Sequence, residues 1–184
     1  MQRELVERAI RGDRDAFAAL VSASVDRLFA AATLILRDRS TAEDAVQEAL
    51  TRMWHDLPQL RNPDRFDPWL HRILTRACYD QAHVQRRRRA ELTLIPGHEP
   101  AVNDESGQIA DRDVLSRGFR RLSVEHRTAL VLRHYSGLSV PDMAASMSVP
   151  LGTAKSRLHH AERALRAALE ADARAADNVK TSSA

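Results

Sequence analysis

The sequence has few of the residues on which disulfide-rich, β-rich and membrane proteins depend. Its 184 residues include one cysteine, Cys78, which excludes an intramolecular disulfide and a secreted scaffold built on disulfides. Aromatic residues, which are enriched in strands, make up only 4% of the chain. The longest apolar run, residues 28–36, is far shorter than the about 20 residues of a membrane span. The charged N-terminus lacks the apolar stretch of a signal peptide. These absences predict a cytoplasmic, mainly helical protein.

Positive charge is concentrated in two blocks that flank an acidic middle. Residues 1–90 carry 16 basic and 13 acidic side chains. Residues 91–113 carry one basic and six acidic side chains, and residues 114–184 carry 11 basic and six acidic side chains. Arginine accounts for 26 of the 28 basic residues. Genome composition can cause this bias, but the run Arg86–Arg89 repels itself unless solvent or a polyanion relieves the repulsion. The two basic blocks therefore favour an acidic partner such as nucleic acid.

The acidic middle separates two helical domains. Residues 95–107 contain two prolines and two glycines, which do not support a continuous helix. We therefore predict an all-α protein with one small helical domain at residues 1–90 and another at 111–172. A flexible acidic linker at 91–110 joins them. A polar tail at 173–184 is expected to fray.

The N-terminal block has helix-start signals followed by apolar residues at helical spacing. Asp13 can cap a helix that carries Phe17 and later apolar residues on one side. Ser40–Glu43 has the spacing of a capping box. The helix after it has one apolar stripe: Val46, Ala49, Leu50, Met53 and Leu57. Two prolines then interrupt the chain, and a last helix runs from about Pro68 into the arginine run.

This last helix has an apolar face and a basic face. The basic stripe consists of Arg72, Arg76, Tyr79, His83 and Arg86. Cations interleaved with an aromatic ring suit a nucleic-acid backbone with unstacked bases. A solvated basic face has the same pattern, so the residues alone leave both interpretations open. Trp69 and Cys78 fit core positions better than base stacking or nucleophilic chemistry.

The C-terminal block has the pattern of a helix-turn-helix. Ser123 can cap one helix, the chain turns near Gly137, and Ser139 can cap a short second helix that Pro150 ends. The longer helix that follows has an outward face of Gly152, Lys155, Ser156, His159, Arg163 and Arg166. A polar, basic N-terminus on such a helix suits the major groove of DNA, and a plain helical hairpin is the alternative.

These segments resemble extracytoplasmic-function sigma factors, the small two-domain members of the sigma-70 family. Leu122–Ala144 and Val149–Ala161 are similar to region 4, with Gly152–Leu158 as the strongest signal. Ala42–Glu48 resembles region 2.2, and Phe66–Ile73, with Asp80 and the arginine run, resembles regions 2.3 and 2.4. The resemblance implies a protein that binds core RNA polymerase and directs it to promoters.

The resemblance also implies roles for individual positions. Those matching the polymerase-binding helix are Asp44, Gln47, Glu48 and Arg52. Those matching the segments that bind and melt the minus-ten element are Arg61, Asn62, Arg65, Trp69, Arg72, Arg76 and Tyr79. Those matching the helix that contacts the minus-thirty-five element are Gly152, Thr153, Lys155, Ser156, Arg157, His159 and His160.

Other functional classes fit the sequence less well. We find no catalytic constellation, phosphate-binding loop or metal-ligand spacing, so we predict no enzyme activity, no cofactor and no small-molecule substrate. A stand-alone helix-turn-helix regulator is the main alternative, but it has no need of the Asp44 and Glu48 face. The family often pairs with membrane-linked anti-sigma factors, so we also expect an anti-sigma partner, without membrane insertion of this chain.

Overall fold

The computed structural model describes residues 2–93 and 117–182, and all regular elements in these two ranges are helical. The N-terminal unit consists of α1 (Gln2–Ile10), α2 (Arg14–Leu36), α3 (Arg39–Asp56) and α4 (Phe66–Thr93). Two 3₁₀ turns, Leu57–Gln59 and Pro63–Arg65, connect α3 to α4. The C-terminal unit has a short helical segment at 117–120, then α5 (Val124–Leu130), α6 (Val140–Ser146) and α7 (Leu151–Ser182). The all-α prediction is confirmed.

Local side chains determine most of the helix starts. The Asp13 carboxylate accepts hydrogen bonds from the Asp15 and Ala16 amides, and Ser123 and Ser139 cap α5 and α6 in the same way. The predicted Ser40 capping box is wrong, because Asp38 caps α3 instead. Asp38 has extended backbone and accepts from the Thr41 amide at 2.7 Å and from the Thr41 hydroxyl. These two bonds favour a start at Arg39, which places Ser40 inside the helix.

The core of the N-terminal unit lies where α2, α3 and α4 meet. Its largest fully buried side chains include Leu20, Leu28, Ile35, Met53, Phe66 and Leu74. One helix, α2, is long and apolar enough to span a membrane by length and composition alone. Its contacts with α1, α3 and α4 explain the apolar composition, because they place its apolar side in the bundle core.

Two helices extend beyond their predicted ends. α4 begins at Phe66 and continues to Thr93, so the first three residues of the predicted linker are helical. The rest of that linker, 94–110, lies outside the described residues. α7 continues to Ser182, so the part of the tail that the structure describes is helical. Its many alanine residues explain the continuation, since alanine has the highest helix propensity.

The C-terminal unit packs directly on the N-terminal unit. α5 contacts α2 and α4, and α6 packs along α4. The α5 helix continues as a single π-helical turn, Val131–Tyr135, before the chain turns at Gly137, which has φ +69°. The turn between α6 and α7 passes through Ser148 at φ +54°. These two turns place α6 across the start of α7, as the helix-turn-helix pattern predicts.

Candidate nucleic-acid and protein interfaces

The predicted polymerase-binding side chains lie together on the outer face of α3. Asp44, Gln47 and Glu48 are exposed, and Arg52 is half-buried. Glu48 Oε1 accepts from Arg52 Nε at 2.7 Å, and Arg52 Nη2 reaches Asp80 Oδ2 on α4 at 3.4 Å. The hydrogen bond to Glu48 is the main reason that the pKa of Arg52 is raised. Arg52 therefore links α3 to α4, while the three other side chains face solvent.

An apolar groove of about 610 Å³, which no sequence pattern predicted, adjoins this face. It lies between α2 and α3 and is lined by Phe17, Val21, Val25, Phe29, Val46, Leu50 and Trp54, with Asp26, Glu43, Gln47 and Thr51 around them. Trp54 is 48% exposed, and its ring packs edge-on to that of Phe17 with centroids 4.7 Å apart. A half-exposed Trp beside charged residues is typical of a protein interface.

The loop between the two 3₁₀ turns contains three of the predicted minus-ten residues. Arg61, Asn62 and Arg65 are all exposed. Asn62 Oδ1 accepts from the Asp64 amide at 3.0 Å and so caps the second turn, which leaves its side-chain amide group for other partners. Arg65 forms an ion pair with Asp142 at the start of α6. Two of these three side chains thus have a structural role in the chain itself.

The predicted stripe along α4 is only partly accessible. Arg72 and Arg76 are exposed one turn apart, as the helical phase predicts. Trp69 is half-buried and packs on Phe66 with ring centroids 6.0 Å apart, which agrees with a core anchor. Tyr79 is half-buried under α5, and burial raises the pKa of its phenol. Its hydroxyl makes no hydrogen bond to the described residues, although Thr128 lies beside it.

The N-terminal part of α7 presents the predicted minus-thirty-five residues. Lys155, Ser156, His159 and His160 are exposed, and Thr153 and Arg157 are half-buried. A Cβ built on Gly152 would meet nothing within 4 Å, so packing among the described residues does not require glycine there. Ala154 and Ala161 are fully buried and fix this helix against α5 and α6. The exposed face of α7 is polar and basic, as the groove of DNA requires.

Two titratable side chains of α4, Cys78 and His71, are buried. In the described ranges, no group of three or more His, Cys, Asp or Glu side chains is arranged to hold a metal ion. Cys78 is fully buried, which raises the pKa of its thiol to about 12. His71 is also buried, which lowers its pKa, and its neutral Nδ1–H donates to the Asp67 carbonyl at 2.8 Å. Both residues stabilise the fold and are closed to solvent.

Comparison with known proteins identifies both units. A family model described as Sigma-70 region 2 matches residues 20–90, and one described as Sigma-70, region 4, matches residues 112–165. The RNA polymerase sigma-H factor of Pseudomonas aeruginosa is 29% identical over 181 residues, which cover 91% of this chain and 93% of that protein. The ECF RNA polymerase sigma factor SigM of Mycobacterium tuberculosis is 33% identical over 162 residues, 88% of this chain and 81% of SigM.

Two solved structures have a similar fold. The structure of CnrH in complex with the cytosolic domain of CnrY matches with a TM-score of 0.67 and 28% identity, covering 93% of this chain and 98% of that one. The structure of the sigma factor RpoE in complex with the anti-sigma factor NepR from Bartonella quintana matches with a TM-score of 0.69 and 26% identity. The match covers 85% of this chain and 98% of that one. The two family models and the 33% identity with SigM show that the chain belongs to the extracytoplasmic-function group of the sigma-70 family.

Proposed function

We propose that this chain is an alternative sigma factor that binds core RNA polymerase and directs transcription initiation at specific promoters. The observation that carries the proposal is the presence, on one chain, of an accessible α3 face and a helix-turn-helix whose last helix exposes a basic N-terminus. A stand-alone regulator needs only the second of these. The function is one of binding, in which affinity for polymerase is converted into promoter specificity without catalysis by this chain.

Core polymerase docks on α3. Asp44, Gln47 and Glu48 supply the polar contacts, and the neighbouring apolar groove supplies buried area. Gln47 belongs to both surfaces, so they form one continuous interface. A polymerase segment with an apolar ridge and basic flanks would complement both parts. We therefore add Trp54 to the polymerase-binding residues, because large aromatic side chains contribute most to such interfaces.

Promoter DNA binds at two places. In the N-terminal unit, Arg61, Asn62 and Arg65 of the loop and Arg72 and Arg76 of α4 contact the minus-ten strand. Trp69 and Tyr79 border that surface and support it from partly buried positions.

In the C-terminal unit, the exposed N-terminus of α7 enters the major groove at the minus-thirty-five element. Its contacting residues are Gly152, Thr153, Lys155, Ser156, Arg157, His159 and His160. Each good base contact contributes about 1–3 kcal/mol of discrimination, and phosphate contacts make binding strongly dependent on salt.

An anti-sigma factor controls this sigma factor in the cytoplasm. Two solved structures with the same fold support this, since one contains RpoE with the anti-sigma factor NepR and the other contains CnrH with the cytosolic domain of CnrY. The exposed α3 groove offers such an inhibitor the same surface that polymerase uses. Competition between inhibitor and core polymerase for this groove would follow.

Two reciprocal double variants test the assignment of the surfaces. Asp44→Asn with Glu48→Gln should weaken the binding of core polymerase to this chain at least tenfold. When polymerase is added at a saturating concentration, the assembled complex should bind upstream promoter DNA as tightly as the wild-type complex does. Lys155→Ala with Arg157→Ala should leave core affinity unchanged and abolish initiation at promoters that need the upstream element.

A control for lost positive charge is Arg11→Ala, which removes an exposed cation from the turn between α1 and α2, outside the groove lining and outside the α7 face. This control should behave as wild type in both assays. Unchanged core affinity in the α3 variant would refute the polymerase interface. Loss of core binding in the α7 variant would refute the division of roles between the two units.

A further inference from the structure

The first helix, α1, packs beside residues 61–65, the minus-ten loop, although no predicted site residue lies on α1. It contacts α2 and both of the 3₁₀ turns that precede α4. Val6 of α1 and Leu57 of the first 3₁₀ turn are buried in the same core cluster. These apolar contacts place the start of α1 against the segment that is expected to bind the minus-ten strand.

Two side chains in the first turn of α1 bind carboxylates on either side of Arg65. Arg3 Nη1 donates to Asp64 Oδ2 at 2.8 Å, and Gln2 Nε2 donates to Asp67 Oδ1 at 3.0 Å. The partners are 61 and 65 residues apart in the sequence. Both bonds therefore attach the minus-ten loop to a distant helix.

The Arg3 guanidinium is bound at two of its edges. Its Nε donates to Glu7 Oε1, one turn further along α1, at 2.9 Å. The hydrogen bond to Glu7 is the largest cause of the raised pKa of Arg3, and the charge of Asp64 is the second. A planar guanidinium that donates from two edges has a defined orientation. The pair of Arg3 and Asp64 is more than half exposed, so we expect it to affect the orientation of the loop more than the stability of the fold.

Asp64 connects this ion pair to the turn that carries a predicted DNA-binding residue. Asn62 Oδ1 accepts from the Asp64 amide at 3.0 Å, and the Asn62 carbonyl accepts from the Arg65 amide at 3.0 Å. These two bonds close one tight turn, but they do not attach it to the rest of the unit. The carboxylate of Asp64 does so through Arg3, and the orientation of Asn62 is therefore coupled to α1.

The same ion pair removes an unfavourable charge from the expected DNA surface. Asp64 lies between exposed residues that are expected to contact DNA, and an unpaired carboxylate there would repel the phosphate backbone. It would also attract the neighbouring Arg61 away from DNA. The Arg3 guanidinium, 2.8 Å away, neutralises this carboxylate. Arg3 thus has both a steric and an electrostatic effect on the loop.

We propose that Arg3 is a positioning residue for promoter recognition: through Asp64 it orients the minus-ten loop and neutralises the carboxylate within it. Arg3 acts through Asp64 and does not itself contact DNA. The inference rests on the proposed function for the role of the loop in binding the minus-ten strand. It adds that α1, outside the DNA-contacting segments, contributes to the base preference at that element.

Hydrogen exchange in the free, full-length chain tests the link between α1 and the loop without polymerase or DNA. In Arg3→Ala, the amides of Asp64 and Arg65 should exchange about twofold to fivefold faster than in wild type, the range expected for an exposed ion pair. Amides of α3 should exchange at wild-type rates, which would show that the variant is folded. Arg11→Ala is the matched control, because it removes the same charge from an exposed side chain in the turn after α1. Equal exchange at the two loop amides in both variants would overturn the proposal.

Base preference is the functional readout. Core polymerase with this chain transcribes a template library in which the minus-ten element of one mapped promoter is randomised, and sequencing of the transcribed templates gives the preference at each position. Arg3→Ala should reduce this preference about twofold to fivefold. It should leave core affinity unchanged, together with the preference in a second library that is randomised at the minus-thirty-five element. Wild-type preference in the first library, or an equal loss in both libraries, would contradict the proposal.

A double variant tests whether Arg3 acts through Asp64. Asp64→Ala should also reduce the minus-ten preference, and the addition of Arg3→Ala should then cause no further loss, because the carboxylate that Arg3 binds is already absent. Additive losses would refute the coupling. A wild-type chain that supports no transcript starts would refute the proposed function instead. The exchange measurement would still decide whether Arg3 holds the loop.

Discussion

Replacing Trp54 with alanine should weaken core polymerase binding far more than it weakens the fold. The indole is 48% exposed, so about half of its surface is still available to a partner in the free chain. Within the chain it packs on Phe17 edge-on, with ring centroids 4.7 Å apart, a pair worth about 0.5–1.5 kcal/mol beyond area burial. An interface Trp at the edge of an apolar groove typically contributes 2 kcal/mol or more, which corresponds to about a 30-fold loss of affinity.

In the assay, core polymerase is titrated, without DNA, into the chain that carries a fluorophore on a cysteine introduced by Ala164→Cys. Binding is measured as the increase in fluorescence anisotropy. Leu151→Ala is a suitable control, because Leu151 is 44% exposed at the start of α7 and lies outside the groove. We expect the control to match wild type. A Trp54→Ala affinity within twofold of wild type, in a chain that is still folded, would refute the assignment of the groove to polymerase.

Two further predictions concern buried groups in α4. Burial lowers the pKa of His71 in the folded chain, so the unfolded chain takes up a proton at this residue more readily. The contribution of neutral His71 to the free energy of unfolding is therefore complete above the unfolded pKa of about 6.5. It declines as the pH falls towards the pKa of the folded state. Chemical denaturation from pH 7.5 to 5 should therefore show a steeper loss of unfolding free energy in wild type than in His71→Gln, and parallel curves would refute this account. Cys78, with its pKa raised to about 12, should react with a thiol reagent at pH 8 only after denaturation, and rapid reaction of the native chain would show that α4 opens readily.

Local signals in the sequence predicted the helix starts well where one capping residue was available. Asp13, Ser123 and Ser139 each bind an amide two or three residues ahead, so the relevant geometry is contained in a few neighbouring residues. At α3 the sequence pattern predicted a cap at Ser40, and Asp38 is the actual cap because it binds the Thr41 amide and the Thr41 hydroxyl. That second contact depends on a side-chain arrangement that spacing alone does not specify.

Contacts between distant parts of the chain could not be predicted in this way. The helical phase correctly placed Arg72 and Arg76 on the outer face of α4, but it placed Tyr79 there as well, and the covering helix α5 comes from the other unit. The pair Arg65–Asp142 spans 77 residues, and no periodic pattern connects its members. Trp54 had no distinguishing local signal either, because helical spacing does not separate an aromatic residue in the core from one at the edge of a groove.

The most direct test of the sigma function is to map transcript starts made by bacterial core polymerase on fragmented genomic DNA, with and without this protein. The account predicts new starts that share two spaced upstream elements. It also predicts that these starts disappear in the Lys155→Ala, Arg157→Ala variant while core binding persists. No new starts, together with no measurable affinity for core polymerase, would contradict the account and favour a regulator that binds DNA without polymerase.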